Sequence, residues 1–107
     1  VAVHGIGDAM EMAARRKSPP GVMRHLRETE AVGEAFGYYF NRQGEIVHRM
    51  RTVGIHPEDL QRMDRIISVA GGASKADAIA AICPTACRDT LITDEGAARA
   101  ILERKES

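Results

Sequence analysis

The sequence predicts an α/β domain: a parallel sheet with right-handed crossovers that carries an inserted antiparallel hairpin. Apolar strand-like runs alternate with helical segments from Ile66 onward, and residues 66–82 read as strand, glycine turn and helix. A β-rich stretch with its own turn lies earlier, within residues 31–50. Alternating strands and helices favour parallel pairing, and ligands of such sheets bind beyond the carboxyl ends of the strands.

Composition limits the classes of partner. The 107 residues suffice for one domain, and 15 basic residues balance 15 acidic ones. This balance gives no electrostatic footprint for DNA or an anionic membrane, so we expect neither to be a partner of this segment. No apolar run approaches the roughly 20 residues of a membrane span, which favours a cytoplasmic location. Cys83 and Cys87 lack further metal ligands, so we expect reduced thiols and no metal.

The first elements are a strand, a helix and a basic cluster. The strand ends at residues 5–7, and Asp8 is placed to cap a helix over residues 9–14. Arg15, Arg16 and Lys17 follow, and cations at a helix C-terminus are explained by the dipole alone. Alternatively, Arg15 or Arg16 turns inward as a planar fork for phosphate, and spacing alone does not choose between these explanations.

A second helix and a hairpin come next. Pro19 and Pro20 predict a helix to about Glu28, followed by a β-rich run over residues 31–40, a turn at 41–44 and a second strand at 45–50. Glu34 is a lone carboxylate in the first strand. The rarity of buried carboxylates favours a solvent-facing side chain, and the alternative is a buried partner.

The central turn, Gly71–Gly72, has the chemistry of an anion site. A helix that begins near Ser74 points its free N–H groups and positive dipole end into this loop, where phosphate is a natural guest. Ser74 and Asp77 resemble a capping box. Lys75 lies at the unfavourable end of the dipole unless it faces a bound anion. The plainer explanation is a simple strand-to-helix turn with a solvated lysine.

The last elements repeat the strand and helix pattern. Pro57 begins a short helix that reaches about Met63, and a strand over residues 89–93 precedes a helix over residues 96–103 with a frayed polar tail. Asp94 lies in the cap of that last helix. The carboxyl edge of the sheet should therefore collect three groups of residues: Gly7 and Asp8, residues 71–75, and residues 93–95.

Three runs together resemble the sugar-binding domain of SorC/DeoR-type bacterial transcription regulators, in its C-terminal part. They are residues 5–9 with Arg15 and Arg16, residues 31–41, and residues 69–76 followed by residues 91–98. The resemblance implies a Rossmann-like, mainly parallel sheet related to glucosamine-6-phosphate deaminase and ribose-5-phosphate isomerase. It implies that residues 1–107 are the C-terminal part of an effector domain, whose first half and DNA-binding domain lie upstream.

The resemblance also implies a function and a site. The protein would be a non-catalytic repressor of glycolytic genes that senses fructose 1,6-bisphosphate, or more weakly dihydroxyacetone phosphate, and needs no cofactor. It would form a homo-oligomer and bind operator DNA through the upstream domain. Lys75 and Arg15 would hold phosphate groups, and Glu34 would accept hydrogen bonds from sugar hydroxyls. Further pocket residues would be Gly7, Asp8, Gly71, Gly72, Ser74 and Asp94.

An enzyme is the alternative. A sugar-phosphate isomerase or deaminase of the related fold would use Glu34 as a general base. Asp8 and Asp94 could approach the same sheet edge, but no second carboxylate or histidine stands at a convincing spacing.

Overall fold

The computed structural model describes residues 2–50, 57–86 and 90–106. The strands are β1 (Ala2–Gly5), β2 (Gly7–Asp8), β3 (Ala31–Ala35), β4 (Tyr38–Asn41), β5 (Ile46–Arg49), β6 (Ile66–Val69) and β7 (Thr90–Ile92). The helices are α1 (Ala9–Arg15), α2 (Pro20–Glu28), α3 (Pro57–Arg62), α4 (Ala76–Ala86) and α5 (Glu95–Glu106), with a 3₁₀ turn over Ala73–Lys75 before α4.

The strands form two sheets. The parallel sheet has the order β1-β6-β7, and the antiparallel sheet has the order β2-β3-β4-β5. The predicted α/β class and parallel sheet are confirmed, but the hairpin belongs to a separate sheet. The chain passes between the sheets at Ile6, which is 2% exposed and donates its N–H to the Val69 carbonyl at 3.2 Å. The next residue, Gly7, already pairs with Glu34 of β3.

The antiparallel sheet contains a turn that the sequence analysis missed. Residues 31–40 form β3 and β4, joined at Phe36–Gly37, so the expectation of one continuous strand is wrong. Phe36 has φ 56° and Gly37 has φ 83°. Positive φ at both central residues is typical of a type I′ turn, whose twist matches that of the flanking strands. The predicted turn at residues 41–44 is confirmed and connects β4 to β5.

Two apolar cores lie on opposite faces of the antiparallel sheet. Helix α4 packs on β3 through the first core, which includes Ile79 and Ile82, and Ile6, Tyr38 and Phe40 complete much of it. Helices α1 and α2 cover the other face through the second core, where Leu26 and Tyr39 are almost fully buried. The sheet is therefore sandwiched between helices, and its strand residues are mostly apolar on both faces.

Asp94 organises the loop that follows β6. Its Oδ2 accepts the Gly72 N–H at 2.7 Å and its Oδ1 accepts the Ala97 N–H at 2.8 Å. These two hydrogen bonds lower the pKa of Asp94 below its usual value, because they favour the ionised carboxylate. The predicted cap at Asp94 is thus confirmed.

The start of α4 differs from the prediction. A 3₁₀ turn enters the helix after Gly72, whose φ is 95°, and no side chain caps this turn. The capping box expected from Ser74 and Asp77 is therefore wrong. The backbone N–H of Lys75 instead bonds the Gly72 carbonyl at 3.0 Å, so the tight turn satisfies one donor without a side chain.

Other expectations have mixed outcomes. Cys83 is disulfide-bonded, so the expected reduced thiol is wrong for this residue, and Cys87 lies outside the described residues, as does Asp89. Helix α5 continues to Glu106, so it includes most of the tail that was predicted to be frayed. Within the described ranges, no helix combines the length and apolar character needed to cross a membrane.

The close contact between β3 and α4 generates a prediction. A Cβ on Gly33 would lie 2.7 Å from Ile82 Cδ1 and 3.0 Å from Ala78 Cα, whereas a Cβ on Gly21 would meet nothing within 4 Å. We expect Gly33→Ala to lower the free energy of unfolding by about 1–3 kcal/mol through overpacking. Gly21→Ala in α2 is the matched control and should raise it by about 0.5–1 kcal/mol. Urea unfolding of the intact protein measures both, and equal effects would contradict this packing.

The Asp94 cap predicts a pH-dependent stability. Because folding lowers the pKa of Asp94, its contribution is present above the unfolded pKa and disappears as the pH falls through the folded value. Asp94→Asn keeps the shape, but its amide NH₂ cannot accept one of the two backbone N–H groups. We expect the variant to unfold at a lower temperature than the wild type near pH 7. The difference between the two unfolding temperatures should become smaller below about pH 4. A difference that does not change with pH would show that the charge of Asp94 does not stabilise the fold.

Candidate functional site

A cavity of about 450 Å³ opens at the carboxyl ends of β1 and β6, between the two sheets. This is the location predicted from the alternation of strands and helices. We call it the sheet-edge cavity. Its lining residues are His4, Gly5, Ile6, Gly7, Met12, Arg16, Glu34, Phe36, Gly37, Val69 and Lys75.

A fork-shaped contact from Arg16 anchors one wall of the sheet-edge cavity. Glu34 and Tyr39 are direct partners across β3 and β4, so their side chains lie on the same face. Arg16 follows α1 and reaches both, with Nη2 donating to Glu34 Oε1 at 3.1 Å and Nη1 donating to the Tyr39 hydroxyl at 3.1 Å. Burial lowers the pKa of Arg16, but these hydrogen bonds and the Glu34 charge raise it overall, which keeps the guanidinium charged.

Glu34 is buried and keeps one oxygen for the cavity. Its side chain is 7% exposed, so the preference for a solvent-facing carboxylate is wrong. Its Oε1 accepts the Gly37 N–H at 3.0 Å in addition to the bond from Arg16. Its Oε2 has no hydrogen-bond partner among the described residues, and a Cβ on Gly7 would lie 3.7 Å from this oxygen. The site therefore presents an acceptor suited to a hydroxyl donor.

Lys75 lines the same cavity and is half-buried. No carboxylate within the described parts of the chain forms an ion pair with its ammonium group. The charges of Arg16 and Glu34 compensate each other, so Lys75 leaves a positive charge in the cavity wall. An anion is the complementary guest.

His4 forms the side of the cavity next to β6. Its Nδ1–H donates to the Gly5 carbonyl at 3.1 Å, which leaves Nε2 to accept a bond from the Ser68 hydroxyl at 2.5 Å. Its ring stacks on Phe36, with the centroids 4.0 Å apart. Burial lowers the pKa of His4, partly offset by the Gly5 bond and the Glu34 charge, so the ring is neutral near pH 7.

The sequence-predicted site residues divide into two groups. Gly7, Glu34 and Lys75 come together in the sheet-edge cavity. Arg15 points elsewhere: it pairs with Glu11 at 2.8 Å, with 70% of its side chain exposed. The remaining residues, Asp8, Gly71, Gly72, Ser74 and Asp94, do not line the cavity.

Two of these remaining residues have structural partners. Asp8 accepts the Glu11 N–H at 3.0 Å as the predicted cap of α1. Asp94 accepts the Gly72 N–H, within the loop where the sequence predicted a bound phosphate. Amide capture of an anion by the Gly71–Gly72 loop would have to compete with this carboxylate.

The family resemblance implied that Arg15 holds phosphate, whereas helical spacing places Arg16 on the buried face of α1. The buried residues Ala9 and Ala13 share a face with Arg16, which follows them at seven and three positions. His4 and Phe36 were missed altogether. His4 could have been found because it directly precedes the end of β1, whereas Phe36 depends on the unrecognised turn. Within the described residues, no cluster of three or more potential metal ligands occurs.

Comparison with known proteins places the chain in a family. The family described as “Putative sugar-binding domain” matches residues 1–103. The central glycolytic genes regulator of Priestia megaterium is 56% identical over 100 residues, and that of Bacillus subtilis is 48% identical; each match covers 94% of this chain. The chain spans about 29% of the length of these curated relatives.

Solved structures agree with this assignment. A structure described as a SorC family transcriptional regulator from Enterococcus faecalis has a TM-score of 0.88 and 44% identity, covering 94% of this chain and 41% of that one. A transcriptional regulator from Streptococcus pneumoniae has a TM-score of 0.85 and 27% identity, covering 99% of this chain and 43% of that one. The chain therefore belongs to the sugar-binding domain family of SorC/DeoR-type transcription regulators.

Proposed function

We propose that this chain is the effector-binding part of a transcriptional repressor of glycolytic genes, and that its sheet-edge cavity binds a phosphorylated sugar. The observation that carries the proposal is that a cation and a hydrogen-bond acceptor lie in the same cavity. Lys75 supplies an uncompensated cation, and Glu34 supplies an acceptor oxygen without a partner in the described chain. A sugar phosphate offers both complements: an anion for the lysine and hydroxyl donors for the carboxylate.

Fructose 1,6-bisphosphate is the effector that we propose, with dihydroxyacetone phosphate as a weaker ligand. Two curated relatives, from Priestia megaterium and Bacillus subtilis, are named central glycolytic genes regulator, which supports a glycolytic metabolite. Lys75 would hold one phosphate group, and the second would be held by residues upstream of this chain. We assign the guanidinium at the cavity wall to Arg16 instead of Arg15, since Arg16 lines the cavity.

The response of the whole protein would be a shift between conformations. A bound effector changes DNA affinity only if it binds one state of the protein better than the other. Operator DNA would be bound by a domain upstream of this chain, in a cytoplasmic homo-oligomer. The relatives are named as regulators, which supports binding without turnover, so we do not favour the isomerase or deaminase alternative.

Removal of the Lys75 charge tests the anion contact. We expect Lys75→Ala to weaken fructose 1,6-bisphosphate binding by roughly 1.5–3 kcal/mol, the scale of a charge-assisted hydrogen bond. Isothermal titration calorimetry on the full-length protein measures the change. Arg15→Ala is the matched control, because its partner is Glu11 at the surface. Unchanged affinity in Lys75→Ala, or an equal loss in Arg15→Ala, would contradict this assignment.

Glu34→Gln tests the hydroxyl contact separately. The glutamine oxygen can still accept from Arg16 and Gly37, but its NH₂ cannot accept from a sugar hydroxyl. The variant also leaves the Arg16 charge uncompensated, which favours any anion. We therefore expect weaker binding of the sugar phosphate but equal or tighter binding of methyl phosphate, which has no hydroxyl to donate from a sugar carbon. Parallel losses for both ligands would indicate a folding defect instead, and circular dichroism provides the check.

A further inference from the structure

A second cavity, of about 630 Å³, lies on the other side of Arg16. We call it the helix-sheet cavity, because it lies between the α1–α2 connection and strands β4 and β5. Its lining residues are Arg16, Lys17, Ser18, Pro19, Val22, Tyr39, His48, Arg49 and Met50. The volume is within the range of small-molecule sites, and none of the proposed sugar-phosphate contacts except Arg16 belongs to it.

The charged residues that line the helix-sheet cavity are all basic. Lys17 and Arg49 add two cations to its wall, and no aspartate or glutamate is among the lining residues. Neither cation forms an ion pair within the described ranges, whereas Arg16 is already paired with Glu34. Burial, followed by the charge of His25, lowers the pKa of His48, so this ring contributes little charge near neutral pH.

A buried hydroxyl points to the same kind of guest. Tyr39 is 1% exposed, and its oxygen accepts a hydrogen bond from Arg16. Its own proton has no acceptor among the described residues. A buried donor without an acceptor is unfavourable, so a ligand oxygen at this position would be stabilised.

The remaining wall is apolar. Pro19, Val22 and Met50 line the cavity and would contact an apolar part of a ligand. We propose that the helix-sheet cavity is a second ligand site, which binds a small organic anion: a phosphate or carboxylate group against Lys17, Arg49 and the Tyr39 hydroxyl, with an apolar body against the other wall.

Phenyl phosphate is a suitable probe, because it combines an anion with an apolar ring and lacks the hydroxyls of a sugar. Calorimetry on the full-length protein at low ionic strength should show that it binds more tightly than inorganic phosphate. Arg49→Ala and Lys17→Asn should each weaken its binding by about fivefold or more. Asparagine is chosen at position 17 because Lys17 has φ 53°, which asparagine tolerates. Tyr39→Phe, which keeps the ring, should also weaken binding.

Two variants serve as controls. Arg24→Ala removes an exposed cation of α2 that does not line the cavity, and Lys75→Ala removes the cation of the sheet-edge cavity. Arg24→Ala should leave phenyl phosphate binding unchanged, and Lys75→Ala should leave the binding at the helix-sheet cavity in place. Thermal unfolding confirms that each variant is folded. The proposal is overturned if the wild type does not bind at millimolar concentration, if Lys75→Ala abolishes binding while the other variants retain it, or if inorganic phosphate binds equally well. These outcomes do not depend on fructose 1,6-bisphosphate binding.

Discussion

The burial of the Glu34 carboxylate is the constraint on which the architecture of the site depends. An unpaired carboxylate at this depth would lose its hydration without compensation, at a large cost in free energy. Two donors prevent this: the Arg16 guanidinium and the Gly37 N–H, both bonded to Oε1. Each donor requires a feature of the backbone. Arg16 must follow α1 immediately on its buried face, and Gly37 must lie in a turn tight enough to return its N–H to a side chain three residues earlier.

The same turn builds the other side of the cavity. Phe36 adopts φ 56°, which costs a residue with a Cβ about 1 kcal/mol or more relative to the common regions. In this position its ring stacks on His4, which in turn bonds Ser68 of β6. One two-residue turn thus fixes a carboxylate and links the antiparallel sheet to the parallel one. The strained backbone at Phe36 is therefore part of how the cavity wall is held.

Features with local causes could be predicted from the sequence. The strand, glycine turn and helix from Ile66 onward follow from hydrophobic periodicity and two glycines, and Asp8 and Asp94 cap helices because short acidic side chains reach amides two or three residues ahead. Lys75 was singled out by its unfavourable dipole position. The start of α4 is not determined locally, because Asp94, 22 residues away, accepts the Gly72 N–H.

Features with distant causes could not be predicted in this way. The burial of Glu34 depends on Arg16, which lies 18 residues earlier, and on a turn hidden within a continuous β-rich run. The low frequency of buried carboxylates in proteins then favours a solvent-facing side chain, which is wrong here, because that frequency includes carboxylates that have no such partner. The structure corrects the preference for solvent at Glu34, whose side chain is 7% exposed. Whether a polar group is buried depends on its hydrogen-bond partners, and tertiary packing determines which partners are within reach.

The sheet-edge cavity lies at the junction of the two sheets. Ile6 is the single residue between β1 and β2, so the parallel and antiparallel sheets diverge directly at the cavity. Glu34 is carried by the antiparallel sheet, while Lys75 follows β6 of the parallel sheet. A ligand that contacts both therefore spans the junction, and its binding energy depends on how the two sheets are arranged. Since a packed core moves between discrete arrangements instead of deforming continuously, this junction is where ligand binding can favour one state of the domain.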